Sequence, residues 1–191
     1  MKTILVFSAT ILLLLSGCSA FRKKEAVEEL PGFPAKHIGA DYAFEMKFPS
    51  TWKIGGKRYM APNEILLATC PPKGKDDFFE EEASVRIERI SGPMDTDEFF
   101  RTDLEFAREL LQDFEIHRAG WVKSNNLNWR WELVSYTIRA VKVKIFRLVA
   151  VRNGIVYLLA FRCQADQFDD AADDFLSIAQ SFRLISEPLS H

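Results

Sequence analysis

The stretch that decides the fold is VAVRNGIVYLLAFRCQADQFDDAADDFLSIAQSFRL, residues 149–184. Two apolar runs flank Asn153-Gly154, and both turn positions tolerate the positive φ that a type I′ hairpin turn demands. A segment with apolar residues at helical spacing follows, at about residues 167–182. The sequence therefore predicts a hairpin of strands 141–152 and 155–163 followed by a helix.

Both strands of this hairpin are apolar on both faces, so the sheet needs cover on both sides. Two further strands are predicted upstream, at about residues 115–123 and 127–139. Asp95 and Glu98 form a capping box at the start of a helix predicted over 95–114. The apolar positions of that helix fall on one stripe: Phe100, Leu104, Ala107, Leu111 and Phe114. We therefore predict an α+β fold, an α/β/α sandwich with a central, mainly antiparallel sheet.

The first half of the chain contains strands with only one apolar face. Residues 42–48 alternate apolar and polar side chains up to Pro49, and residues 85–88 alternate in the same way. A period of two with one apolar face is typical of a half-buried strand. We therefore expect these early strands near the edges or in less covered regions of the sheet.

The N-terminus has the pattern of an export signal. Lys2 precedes an apolar run from Ile4 to Leu15, which is shorter than the roughly 20 residues that span a membrane as a helix. Leu15-Ser16-Gly17-Cys18 resembles the lipobox of bacterial lipoproteins. The resemblance implies cleavage before Cys18, lipidation of Cys18 and, with Ser19 next, an outer-membrane anchor facing the periplasm. We expect a signal peptide over 1–17, a lipidated cysteine and tether over 18–36, and one domain over 37–191.

The domain resembles the PsbP/DcrB-like superfamily through motifs at both of its ends. These are YAFEMKFPSTW at residues 42–52, the Asn153-Gly154 turn, Phe168-Asp169 and Ser181-Phe182. The resemblance implies the same α/β/α sandwich. Members are mostly accessory and interaction modules, among them a photosystem subunit, a Ran-binding import factor and envelope lipoproteins. No catalytic motif comes with the resemblance.

The composition argues against nucleic-acid binding and against metal or cofactor chemistry. The chain has 25 Lys and Arg against 27 Asp and Glu, a net charge of −2, so it lacks the basic excess that phosphate binding needs. Its 3 histidines show no metal-ligand spacing. A nucleophile elbow, a P-loop and a dinucleotide fingerprint are all absent from the sequence. We predict a protein that is not an enzyme and has no cofactor.

An acidic run, DDFFEEE at residues 76–82, is the most unusual local composition. It is either a solvated loop or an oxygen-ligand site for a cation such as Ca²⁺. Phe78 and Phe79 within it either pack inside the domain or form a small apolar contact for a partner.

Two tryptophans and two cysteines complete the set of candidate residues. Trp129 and Trp131 share one strand face beside a predicted turn at 124–126, where they either support the hairpin or stack on a ligand. Cys70 and Cys163 each follow an apolar strand, so they are either a disulfide at one end of the sheet or two buried thiols.

Together these observations predict a lipid-anchored envelope protein that acts as a non-catalytic binding or accessory module, with another envelope protein as its partner. The alternative is a lipoprotein that binds a small ligand or a divalent cation.

Overall fold

Two antiparallel sheets and two helices form the part of the chain that the computed structural model describes, residues 33–39, 42–55, 64–72 and 79–185. The small sheet has the order β1-β2-β10, with β1 at Phe33–Gly39, β2 at Tyr42–Phe48 and β10 at Arg183–Leu184. The large sheet has the order β3-β4-β5-β9-β8-β7-β6. Its strands are β3 (Lys53–Ile54), β4 (Glu64–Cys70), β5 (Glu81–Arg89), β6 (Gln112–Ser124), β7 (Leu127–Ile138), β8 (Val141–Arg152) and β9 (Ile155–Gln164). The helices are α1 (Thr96–Leu110) and α2 (Phe168–Ser181).

The large sheet is covered on both faces, which confirms the predicted mixed α+β fold with a central antiparallel sheet. Its front face carries α1, whose Phe99 packs with Val149, Val156 and Leu158. Its back face carries α2 and the small sheet, and the largest apolar cluster lies between them. No helix in the described ranges is long and apolar enough to cross a membrane.

Phe182 joins the two sheets at the centre of the back-face core. Its ring stacks on Phe44 at 5.4 Å between centroids and meets Trp129 edge-on at 5.5 Å. It also contacts Tyr157 of β9, at 6.4 Å between centroids. Aromatic pairs at these separations add roughly 0.5–1.5 kcal/mol each beyond the area that they bury. The residue that follows α2 therefore holds β2, β7 and β9 together.

Three two-residue turns connect β6, β7, β8 and β9. The predicted turns are confirmed, with positive φ at Asn125 (51°), Asn126 (62°), Asn153 (52°) and Gly154 (72°). The third turn, at residues 139–140, has φ of 47° and 70° although it contains arginine and alanine. L residues seldom adopt this conformation, and this turn carries no sequence signal.

The structure also corrects three expectations. β2 is the middle strand of a separate sheet and its Phe44 and Met46 are fully buried, so it does not lie at a less covered edge. β5 is likewise an inner strand, between β4 and β9.

Helix α1 ends at Leu110, four residues early, because Leu111 is extended and packs with Phe114 in a front-face cluster. β1 begins at Phe33, within the range expected for the tether.

Candidate binding sites

A concave region on the front face, beside α1, is the first candidate site. This arginine groove has a volume of about 380 Å³, which is within the range of roughly 300–1,000 Å³ found for small-molecule sites. Strands β4, β5, β7, β8 and β9 supply its walls. Its lining residues are Glu64, Leu67, Glu82, Ser84, Arg86, Tyr136, Ile145, Arg147, Leu158, Ala160 and Arg162.

The strand register explains why the groove is hollow. Ser84 of β5 lies opposite Ala160 of β9, and Ala160 lies opposite Arg147 of β8. Two small side chains therefore form the floor. Arg86 stands two residues from Ser84 on β5, and Arg162 stands two residues from Ala160 on β9 in the other direction. The long side chains of Arg86, Arg147 and Arg162 therefore surround a floor of small side chains, which leaves the groove open.

Arg147 is the centre of a buried charge network that ties α1 to the sheet. Its Nε donates to Glu132 Oε1 at 2.6 Å, and its Nη1 lies 2.8 Å from Asp103 Oδ2 on α1. Burial raises the pKa of Glu132, and this effect exceeds the opposing effect of Arg147. Burial works against the charge of Arg147, but Glu132 and Asp103 leave its pKa raised. Two carboxylates thus hold one guanidinium, which stays charged.

The other two groove arginines differ in their partners. Arg162 pairs with Glu82, and its guanidinium lies 5.5 Å from the centre of the Phe79 ring. Burial opposes its charge, but Glu82 and Tyr136 leave its pKa raised. Arg86, in contrast, has no ion pair with any described residue, and its buried Nε, like that of Arg162, lacks a hydrogen-bond partner among them. Arg86 is therefore the groove arginine that no described carboxylate pairs.

Strand β6 forms a long edge of the large sheet, and no described strand pairs with its outer side. Its second half carries two exposed apolar side chains, Trp121 (51% exposed) and Val122 (42% exposed). The Arg130 guanidinium lies over the Trp121 ring at 5.4 Å and over the Phe100 ring of α1 at 4.9 Å. Trp121 is therefore held beside α1 with one side open to solvent.

The predicted tryptophan pair is split between core and pocket. Trp129 is only 2% exposed and packs on Phe182, so it does not present a surface to a ligand or a partner. Trp131 is half-buried and lies over Gly120, where an added Cβ would sit 2.9 Å from its Nε1. It lines a small back-face pocket of about 100 Å³ together with Phe146 and Phe168.

The acidic run does not gather its carboxylates within the described residues. Glu81 and Glu82 are neighbours on β5, so they point to opposite faces, with Glu81 buried and Glu82 in the groove. No described group of three or more metal-ligand side chains converges. Phe79 is half-buried and packs in the front-face cluster, whereas Phe78 lies outside the described residues, as does Cys18.

Cys70 and Cys163 are buried, and no disulfide joins them. β4 and β9 do run in the same direction, but β5 lies between them. Two strand spacings separate the cysteines by about 10 Å, beyond the roughly 7 Å between Cα atoms that a disulfide tolerates.

Sequence pattern alone does not identify the groove arginines: Arg147 and Arg162 each stand inside an otherwise apolar strand, and Arg86 is an ordinary polar position of an alternating strand. Arg147 interrupts the run 145–151 and Arg162 interrupts the run 155–163. A charge inside a doubly covered strand needs a partner. That interruption was the available signal, but the partners lie on other strands.

Comparison with solved structures identifies the fold as PsbP-like. CyanoP, the PsbP protein of Synechocystis sp. PCC 6803, matches with a TM-score of 0.59 at 13% identity, over 86% of this chain and 98% of its own. LpqN, involved in cell envelope biogenesis of Mycobacterium tuberculosis, matches with 0.56 at 15% identity, over 82% and 92%. The Saccharomyces cerevisiae Ran-binding protein Mog1p matches with 0.57 at 11% identity, over 82% and 97%. No family model matches the chain, and no curated protein is significantly similar to it in sequence.

Proposed function

We propose that this chain is a lipid-anchored accessory protein of the cell envelope that docks an extended segment of a partner protein along the open edge of β6. The docking proposal rests on the open edge of β6. An exposed strand edge is a template for pairing with another chain, and many domains bind extended peptides in this way. The lipobox-like sequence at residues 15–18 supports the anchor, and the fold shared with LpqN, which is involved in cell envelope biogenesis, is consistent with it.

The two halves of β6 differ in how well they can accept another strand. Register shifts between Gln112 and Glu115 and between Ile116 and Arg118 interrupt its first half. Such bulges protect an edge from pairing. The second half pairs with β7 without interruption from residue 118 to residue 124. Only this half is regular enough to receive a partner strand.

The hairpin turn determines which amides of this half are available. The two-residue loop makes Ser124 and Leu127 a hydrogen-bonded pair, and hydrogen-bonded and non-hydrogen-bonded pairs alternate from there. The backbone groups of Ala119, Trp121 and Lys123 therefore point away from β7. We propose that these groups bind the partner backbone and that Trp121 contacts a partner side chain.

The edge is tested by site-specific photocrosslinking in cells, with the crosslinking residue at position 122. We expect an adduct with one envelope protein. Lys123→Pro removes an outward amide without breaking a bond to β7 and should abolish the adduct. Lys123→Ala removes the same charge but keeps the amide, so it should preserve the adduct. Absence of an adduct, or an adduct that survives Lys123→Pro, would contradict docking at β6.

The anchor is tested separately with Cys18→Ala. This variant should lose acyl labelling and leave the membrane fraction, because the lipid on this residue is the proposed attachment. Continued sedimentation with membranes would contradict the lipid anchor and would leave the docking test unaffected.

A further inference from the structure

We propose that the arginine groove binds a small organic oxyanion, a carboxylate or a phosphate carried on a short apolar body, through Arg86 and Ser84. This inference is independent of docking at β6, since the groove and that edge lie on different strands.

Arg86 supplies the first part of the argument. A guanidinium presents its Nε and Nη groups as a planar fork that fits two oxygens of a carboxylate or a phosphate. Arg147 already uses its fork on Glu132 and also contacts Asp103, and Arg162 is ion-paired with Glu82 through its Nη2. The buried Nε of Arg86 has no partner among the described residues, and an unpaired buried donor is costly. An oxyanion would satisfy that donor and balance the charge.

The carboxylates that line the groove form no ion pair with Arg86. Glu82 is paired with Arg162. Glu64 is the cross-strand neighbour of Arg86, but the two form no ion pair, and Glu64 has another interaction of its own. The guanidinium of Arg86 therefore has no described carboxylate paired with it, and we propose that the anionic head group binds there.

The floor and walls indicate the rest of the ligand. Ser84 lies two residues from Arg86 on the same face of β5 and offers a hydroxyl donor to the same anion. Beyond it, Ala160 leaves open space, and Leu67 and Leu158 supply apolar walls. A bare ion would leave this space empty, whereas an anion with a short apolar body would fill it.

The inference is tested on the full chain in a non-ionic detergent, by titration followed through the Nε–H resonances of ¹⁵N-labelled arginine. The probes are benzoate, phenyl phosphate, inorganic phosphate and benzyl alcohol. We expect benzoate or phenyl phosphate to shift the Arg86 resonance and to saturate, and the tighter of the two identifies the head group. Inorganic phosphate should bind about tenfold more weakly because it lacks the apolar body, and benzyl alcohol should leave the resonance unmoved.

Variants assign the binding to Arg86. Arg86→Ala should weaken binding about tenfold or more, the loss expected for a hydrogen bond to a charged group. Arg86→Lys keeps the charge without the fork and should also weaken binding. The Nε–H resonance that is missing from the spectrum of this variant is the resonance of Arg86. Arg89→Ala removes the same charge from an exposed position on the same strand and should bind as the wild type does.

Ser84→Ala leaves every arginine in place and should weaken binding several-fold, so it remains informative if Arg86→Ala fails to fold. The inference is overturned if neither organic anion binds saturably. It is also overturned if benzyl alcohol binds as tightly as benzoate, or if the folded Arg86 and Ser84 variants retain wild-type affinity.

Discussion

Replacement of Arg147 by methionine tests the buried charge network most directly. Among the described residues, the change removes the only cation in ion-pair contact with Glu132, which is fully buried, and Asp103 on α1 loses its ion pair with the sheet. Removing one partner of a buried pair leaves an uncompensated charge and typically costs about 3–5 kcal/mol. We therefore expect Arg147→Met to lower the free energy of unfolding by about 3–5 kcal/mol, a large part of the roughly 5–15 kcal/mol that holds a domain together.

The double variant Arg147→Met/Glu132→Leu is the matched control. It removes both charges and keeps the site filled with apolar atoms, which is often neutral or stabilising relative to the ion pair. We expect it to be more stable than Arg147→Met alone, although it carries one more substitution. Urea denaturation at pH 7 measures both, with unchanged m-values as evidence that the unfolding transition is the same.

The pH dependence of Arg147→Met gives a second check. Burial raises the pKa of Glu132 in the folded state above its ordinary 4.5, so the folded protein keeps this proton to a higher pH than the unfolded chain does. Arg147 lowers this pKa, so its removal raises the pKa of Glu132 further. The cost of the substitution should therefore grow with pH above the folded wild-type pKa, which lies above 4.5, and be smallest at acidic pH where Glu132 is protonated in both proteins. A cost under 1 kcal/mol at pH 7, or a double variant less stable than Arg147→Met, would refute the reasoning.

Three further substitutions or treatments test other parts of the fold. Gly120→Ala should lower the free energy of unfolding by about 1–3 kcal/mol, because its Cβ would meet Trp131 at 2.9 Å; urea denaturation that matches the wild type would contradict this contact. Asp95→Ala should cost about 0.5–2 kcal/mol, because its side chain accepts a hydrogen bond in the first turn of α1, and chemical denaturation measures the loss. Without reductant, Cys70 and Cys163 should each react with an alkylating reagent once the chain is unfolded, and mass spectrometry should show two more adducts than in the folded protein; an unchanged mass would mean that they are bridged.

The helices and hairpins could be predicted because their signals are local. Asp95 caps α1 as the sequence indicates, and the Asn153-Gly154 turn joins β8 to β9. Such features depend on residues a few positions apart. The small sheet depends on a pairing of Glu45 with Arg183, 138 residues along the chain. An alternating pattern predicts that β2 has a buried face but does not identify the strand beside it.

The candidate sites were less predictable for the same reason. The positions of Cys70 and Cys163 at the same end of the sheet follow from strand direction, but only the strand order places β5 between them. Trp129 and Trp131 share a face, as expected, yet the packing of α2 decides that one is buried and the other lines a pocket. Arg86 becomes a candidate ligand group only when the partners of the other two arginines are known.

The position of Phe182 has a consequence for the order in which the molecule forms. β2 lies early in the chain, yet its fully buried Phe44 stacks on Phe182. Ser181 also accepts a hydrogen bond from the backbone of Lys47, 134 residues away. Contacts between residues so far apart in the chain form slowly relative to the local hairpins of β6 to β9. A chain still being synthesised therefore cannot complete the back-face core until its last described residues emerge. The apolar side chains of β2 stay exposed to solvent until then.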